Sequence, residues 1–256
     1  MGSPFRSEAA PKEIFLDMYY YFAPAIRSYN VILVIAAVLP AVFLMLRVYR
    51  SDRLEKESPF IIRRLVVAGI LSSLLALVEE RVLVAVLDAS VTKNYALYMF
   101  LLYFVIVAYA EETSKYLFLR FVSWRSPEFN CQYDGVVYAV LVSLGFALWE
   151  NISYVMSYGF QTAILRALTA IPGHACFGVF MGVFYGMAKK YEKAGSIPVS
   201  RLFRVLSIVL PALLHGAYDY IASTRTGNGS FIAFIAVMFV LSYVLVGHLS
   251  RQDQHI

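Results

Sequence analysis

The chain has 256 residues, 60% of them hydrophobic and only 15% charged, with a mean hydropathy of +0.67. Soluble domains usually carry about 25% charged residues, so the composition excludes an ordinary soluble protein and indicates an integral membrane one. The net charge is a modest +5, whose distribution speaks for membrane orientation rather than nucleic-acid binding.

The N-terminal stretch from Met1 to Arg27 has prolines, acids and no continuous apolar core, which excludes a secretory signal. Within it, Ile14 to Tyr21 is Tyr-rich and suits the membrane interface. A spanning helix needs about 20 mostly apolar residues. Seven stretches qualify: Val31 to Tyr49, Leu65 to Leu87, Tyr95 to Leu119, Gly135 to Tyr158, Ile164 to Ala188, Leu202 to Ala222 and Ser230 to Leu249. The expected fold is all-α, a polytopic bundle of about seven transmembrane helices around a buried polar cavity. One helical domain covers residues 31–249, between a tail at 1–30 and a short tail at 250–256. The two cysteines, Cys131 and Cys176, show no CxxC spacing, which speaks against a disulfide framework or a thiolate metal site.

Arginine and lysine fix the orientation. Arg47, Arg50, Arg53, Lys56, Arg63 and Arg64 lie between spans one and two, and Arg120 and Arg125 between three and four. Lys189, Lys190, Lys193, Arg201 and Arg204 lie between five and six, and Arg251 follows seven. The opposite loops hold Lys93, Arg166 and Arg225, one each, and the N-terminal tail adds Arg6, Lys12 and Arg27. With seven spans, the positive-inside rule places the N-terminus outside and the C-terminus in the cytoplasm, most naturally of the cell membrane.

Four polar clusters interrupt these spans: Glu111-Glu112-Thr113-Ser114-Lys115, Glu150-Asn151, His174, and His215 with Asp219. Ionisable groups in lipid are costly, so each is a candidate functional site. Glu111 and Glu112 point about 100° apart on a helix but can border one cavity. Lys115, four residues beyond Glu111, can pair with it and balance a buried charge. Read plainly, the cluster is a cytoplasmic helix end. Glu150 and Asn151 read equally as helix–helix glue. His174 follows Pro172-Gly173 and His215 follows Pro211 by four, so each histidine sits after a proline expected to bend its span. Asp219, four beyond His215, can fix the imidazole tautomer. Either histidine alone reads as a satisfied core residue; the pair does not. His248 and His255 read as solvated. Gly178, Gly182 and Gly186 continue from His174 as a small-residue stripe for close helix packing. Glu79-Glu80, beside Arg81 and without a nearby histidine, reads as structural or interfacial. By these boundaries Glu111 and Glu112 lie inward of Glu150, His174 and His215, so either span three is shifted or the site is elongated.

Taken in order, Glu111-Glu112-x-x-Lys115, Phe146-x-x-x-Glu150-Asn151, His174-x-x-x-Gly178 and His215 with Asp219 resemble the PrsW family of intramembrane proteases, related to the CAAX-prenyl endopeptidases. The resemblance starts at the acidic stretch Asp52 to Pro59, includes Asp134-Gly135 and reaches Asp219; Glu79-Glu80-Arg81 stands outside it. It implies hydrolysis of a peptide bond in a membrane-anchored protein, either anti-sigma-factor-like or prenyl (CAAX)-like. It implies Glu111, Glu112, Glu150, His174 and His215 as catalytic, with Lys115, Phe146, Asn151 and Asp219 in support.

Two mechanisms fit these residues. In one, His174, His215 and Glu150 hold Zn2+, which lowers the pKa of a bound water. In the other, a glutamate of the 111–112 pair activates water directly and the histidines stabilise the oxyanion. The resemblance tips the choice toward the metal-free form. Outside the protease class, the same residues fit a proton-coupled transporter or a membrane scaffold. A seven-span zinc hydrolase of lipid amides would want about three histidines on the metal, and only two are well placed.

Overall fold

The computed structural model describes residues 11–90, 94–223 and 228–256, with side chains described for these from Tyr29 onward, Asn228 excepted. The expected interfacial segment at Ile14 to Tyr21 and the loop charges Lys93 and Arg225 therefore fall outside the described side chains. Helix α1 runs Pro11–Ser51, α2 Pro59–Ser90, α3 Tyr95–Phe100, α4 Ala108–Ser123, α5 Asp134–Tyr158, α6 Phe160–Leu168, α7 Ala170–Lys193, α8 Ile197–Ser223 and α9 Asn228–Arg251. Seven helical stretches are long and apolar enough to cross a membrane, so the chain is a multi-pass integral membrane protein. Among the described residues there is no strand, only an isolated bridge between Cys131 and His255.

Helix α5 is the axle. Every residue from Asp134 to Ala147 is buried, as a helix apolar on all sides requires. It packs against α1, α2, α4, α6 and α7, and α7 in turn packs against α8 and α9. The glycine stripe explains the α5–α7 approach. A Cβ on Gly178 would lie 2.9 Å from Val140 Cα, and one on Gly182 would overlap Val136. Small residues let backbones meet where lipid gives no hydrophobic drive. The outward face carries the apolar surface lipid needs, including Val78, Val82, Leu213, Ile232, Val240 and Val244.

Two spans are irregular. The third passes through a wide π turn, Leu101–Val107, just before the glutamate pair. Such turns recur at functional sites. Here it presents Phe104 to α8 so closely that a Cβ on Gly216 would come 2.9 Å from Phe104 Cα. That seats the third span directly against the neighbour of His215. The fifth span breaks at Thr169, where φ is −124° and ψ −68°. Pro172 thus stands in the first turn of α7, where a missing N–H costs little. It starts the helix that carries His174 instead of kinking one. Pro211 does lie inside α8, as expected.

The C-terminal residues are tied down. Tyr133 N–H donates to Asp253 Oδ1 (2.8 Å), and Ile256 N–H donates to the Asn130 carbonyl (2.7 Å). His255 is exposed, as expected, yet its Nδ1 lies 3.2 Å from Cys131 Sγ.

Candidate active site

Lys115 is fully buried and stands at the centre of the predicted clusters. Its Nζ donates to Glu112 Oε1 (2.7 Å) and Glu111 Oε2 (3.1 Å), and lies 3.2 Å from His174 Nδ1. The Phe146 ring closes the fourth side, its centroid 4.1 Å from Nζ. A lysine ammonium can only donate, so Nδ1 of His174 accepts and Nε2 carries the hydrogen. That hydrogen is directed at Glu150 Oε2, 2.8 Å away. Ser143 Oγ–H also donates to the His174 carbonyl (2.7 Å), locking α7 to α5.

His215 lies edge-on to His174, with ring centroids 5.4 Å apart, and stacks on Phe177 at 4.6 Å. Its Nδ1 donates to Glu112 Oε1 at 2.9 Å, while Nε2 is 3.5 Å from Asp219 Oδ2. Glu112 is therefore the closer partner of this imidazole. The inward offset expected for the glutamate pair is absent: direct contacts hold Glu111, Glu112, His174 and His215 at one level.

The glutamate pair divides. Glu111, Glu150, His174, His215 and Asp219 line one cavity of about 550 Å³, walled by Tyr103, Trp149, Tyr154, Phe177 and Tyr218. Glu112 lies behind the wall, with no exposed surface, and its Oε2 finds no donor. Asn151 stands beside the cavity: its amide donates to the Ala37 carbonyl (2.8 Å) and its Oδ1 accepts from Arg166 Nε (2.8 Å).

Two readings from sequence need correcting. The Glu79-Glu80-Arg81 cluster is not remote from the site: Glu80 and Arg81 line the same cavity, and Glu79 Oε2 accepts from Ser114 Oγ (3.0 Å). The available signal was spacing, since Ser73, Leu77, Glu80 and Arg81 form one helical face of α2. Arg166 is not merely an outer-loop charge. It forms an ion pair with Glu150 at 2.9 Å, in geometry short of a hydrogen bond at that nitrogen, and covers the Tyr154 ring at 4.1 Å.

A family profile described as PrsW family intramembrane metalloprotease matches residues 57–246. The chain belongs to the PrsW family of intramembrane proteases. Protease PrsW of Shouchella clausii is 34% identical over 222 residues, covering 87% of this chain and 97% of that protein. Protease PrsW of Geobacillus kaustophilus is 35% identical over 200 residues (78% and 84%), and that of Bacillus subtilis 31% over 186 (73% and 80%). No solved structure matches the chain. This PrsW-family member is accordingly a membrane-embedded peptidase, and its substrate is a membrane protein.

The family's description as a metalloprotease implies a metal at this site. Within the site, atoms of Glu111, Glu112 and His174 approach within 4.8 Å of one another. Each of the three, however, is already bound to the Lys115 ammonium, which fills the position a cation would take. The set suggested by sequence, His174, His215 and Glu150, does not gather on one point among the described residues. Glu150 Oε2 instead meets His174 and Arg166. As arranged, these side chains are built around an ammonium and do not fit a metal ion as well.

Proposed function

We propose that this protease hydrolyses its substrate with water activated by Glu111, without a metal. The observation that carries the reading is the division of the glutamate pair. Only Glu111 reaches the cavity, with Oε2 held by Lys115 and 3.9 Å from His215 Nδ1. Glu111 takes a proton as the water oxygen attacks the peptide carbonyl carbon. The carbonyl oxygen becomes an oxyanion, stabilised by the hydrogen on His215 Nε2. Glu111 then returns its proton to the leaving nitrogen as the C–N bond breaks, releasing a carboxylic acid and an amine, between which a proton then passes to give carboxylate and ammonium. Carboxylates face both nitrogens of His215, which suits a ring carrying hydrogen on each. Glu112 acts from behind, aiming that ring. Glu150 and Arg166 flank the cavity as positioning groups.

The test is cleavage of a membrane-anchored peptide by purified protein. Glu111→Gln is expected to lower the rate by about 10²–10⁴ while leaving the fold intact. Cleavage by Glu111→Gln at the wild-type rate would overturn the assignment.

The natural substrate is proposed to be a membrane-anchored polypeptide that unwinds locally to reach the aromatic-walled cavity. An anti-sigma-factor-like protein and a prenyl (CAAX)-like protein both meet that description. Membrane proteins that accumulate with Glu111→Gln would distinguish them. The protein is proposed to sit in the cell membrane with its N-terminus outside and its C-terminus cytoplasmic. Supporting this, Arg50, Arg53, Arg63, Arg64, Arg125, Arg201 and Arg251 are all exposed at one end of the bundle. Labelling of single cysteines at Arg53 and Tyr158 from either side tests the orientation.

A further inference from the structure

A second constellation of acids lies far from the cavity. Asp52 and Glu57, in the loop joining α1 to α2, meet Asp134 at the start of α5. Glu150 lies sixteen positions beyond Asp134 on the same helix, about 24 Å at 1.5 Å per residue. The three side chains are buried, at 3%, 4% and 0% exposure. Each offers an oxygen within 4.8 Å of the others.

Their hydrogen bonds leave an inward remainder. Tyr138 donates to Glu57 Oε2 (2.7 Å), and the N–H groups of Asn130 and Cys131 donate to Asp134 Oδ2 (3.0 and 2.7 Å). Both oxygens of Asp52, Oε1 of Glu57 and Oδ1 of Asp134 are buried without a well-formed hydrogen bond; the Leu54 N–H makes only a weak approach to Asp52, and Glu57 and Asp134 face each other. Lys56, the adjacent cation, donates to the carbonyls of Tyr49 (2.8 Å) and Asp52 rather than to a carboxylate. None of the described ion pairs involves these acids. Buried carboxylates that lack a cationic side chain either take up protons or coordinate a metal. Burial, the largest cause, raises the Asp52 carboxyl and pushes that of Glu57 up to about 9.

We propose that Asp52, Glu57 and Asp134 bind a hard divalent cation of the magnesium or calcium class. An all-oxygen, carboxylate-rich set selects such ions over zinc. The ion would tie the first loop to the buried start of α5, the helix whose far end carries Glu150. It is separate from any metal at the peptidase site, and its effect is structural.

The experiment uses the full chain in detergent, treated with chelator and titrated with MgCl2, CaCl2 or MnCl2 against NaCl of equal ionic strength. For at least one of these ions the thermal midpoint should rise by several degrees and saturate. Glu150→Gln should keep the shift, while Asp52→Asn and Glu57→Gln should lose it. If those two variants fail to fold, Glu57→Asp, which keeps the charge but shortens the reach, should bind Mn2+ about tenfold more weakly by electron paramagnetic resonance. A wild-type midpoint indifferent to all three ions would overturn the proposal and leave shared protons as the explanation. So would a shift unchanged in Asp52→Asn and Glu57→Gln, or Mn2+ affinity unchanged in Glu57→Asp.

Discussion

Lys115 Nζ lies 3.2 Å from His174 Nδ1, and this one contact fixes the histidine's tautomer. Because the ammonium can only donate, the hydrogen must sit on Nε2, facing Glu150. Lysine, histidine and three glutamates from α4, α5 and α7 thus form one chain of polarised contacts beside the cavity of about 550 Å³.

Removing the lysine tests that chain. Lys115→Met removes the ammonium from Glu111 and Glu112 and leaves the two buried carboxylates to share the His215 ring. Breaking a buried ion pair from one side costs about 3–5 kcal/mol. Denaturant unfolding in detergent should show a loss of that size, and cleavage should fall with it. A variant as stable as wild type would mean that the carboxylates are compensated elsewhere.

Arg166 and Glu150 are expected to act as a unit. Their 2.9 Å contact predicts a coupling of about 0.5–3 kcal/mol in a double-mutant cycle on kcat/KM, using Arg166→Gln and Glu150→Gln. Additive effects would detach Arg166 from the site.

Glu80 faces the cavity from α2 and borders Glu111 and Glu150 electrostatically. Glu80→Gln should change kcat/KM by about tenfold, 1.4 kcal/mol, with little change in unfolding. It should also alter the pH profile of cleavage. Unchanged kinetics would return Glu80 to a purely structural role.

The glycine stripe carries a stability prediction. Gly182→Leu forces a side chain into the backbone of α5 at Val136. Overpacking of this kind costs about 1–3 kcal/mol, and more where only backbone can yield. A thermal midpoint equal to wild type would show that α5 and α7 do not touch there.

The span count was legible in the apolar stretches, and the polar residues that interrupt them stood out as a set rather than one by one. Glu111, Glu112, Lys115, Glu150, His174 and His215 all announced themselves that way. The remainder depends on rotation and register, which one-dimensional spacing constrains poorly. Arg166 counts equally well as a loop charge until α6 turns it toward Glu150. Glu80 lay on a visible face of α2, but nothing in the sequence said which helix that face meets. The π turn at Leu101–Val107 has no residue signature, since Phe104 fits it only through its contact with Gly216. Pro172 was visible as a proline, whereas its place in a first turn depended on the break at Thr169.

In the proposed mechanism Glu111 activates water in a site organised by an ammonium rather than a metal. The most direct test of that mechanism is the cleavage rate of a membrane-anchored peptide by purified protein after exhaustive chelation and dialysis, at pH 7 with zinc-free magnesium or calcium added back. The full rate is expected, with no bound zinc by elemental analysis. Loss of cleavage on chelation, restored by one equivalent of zinc, would contradict it.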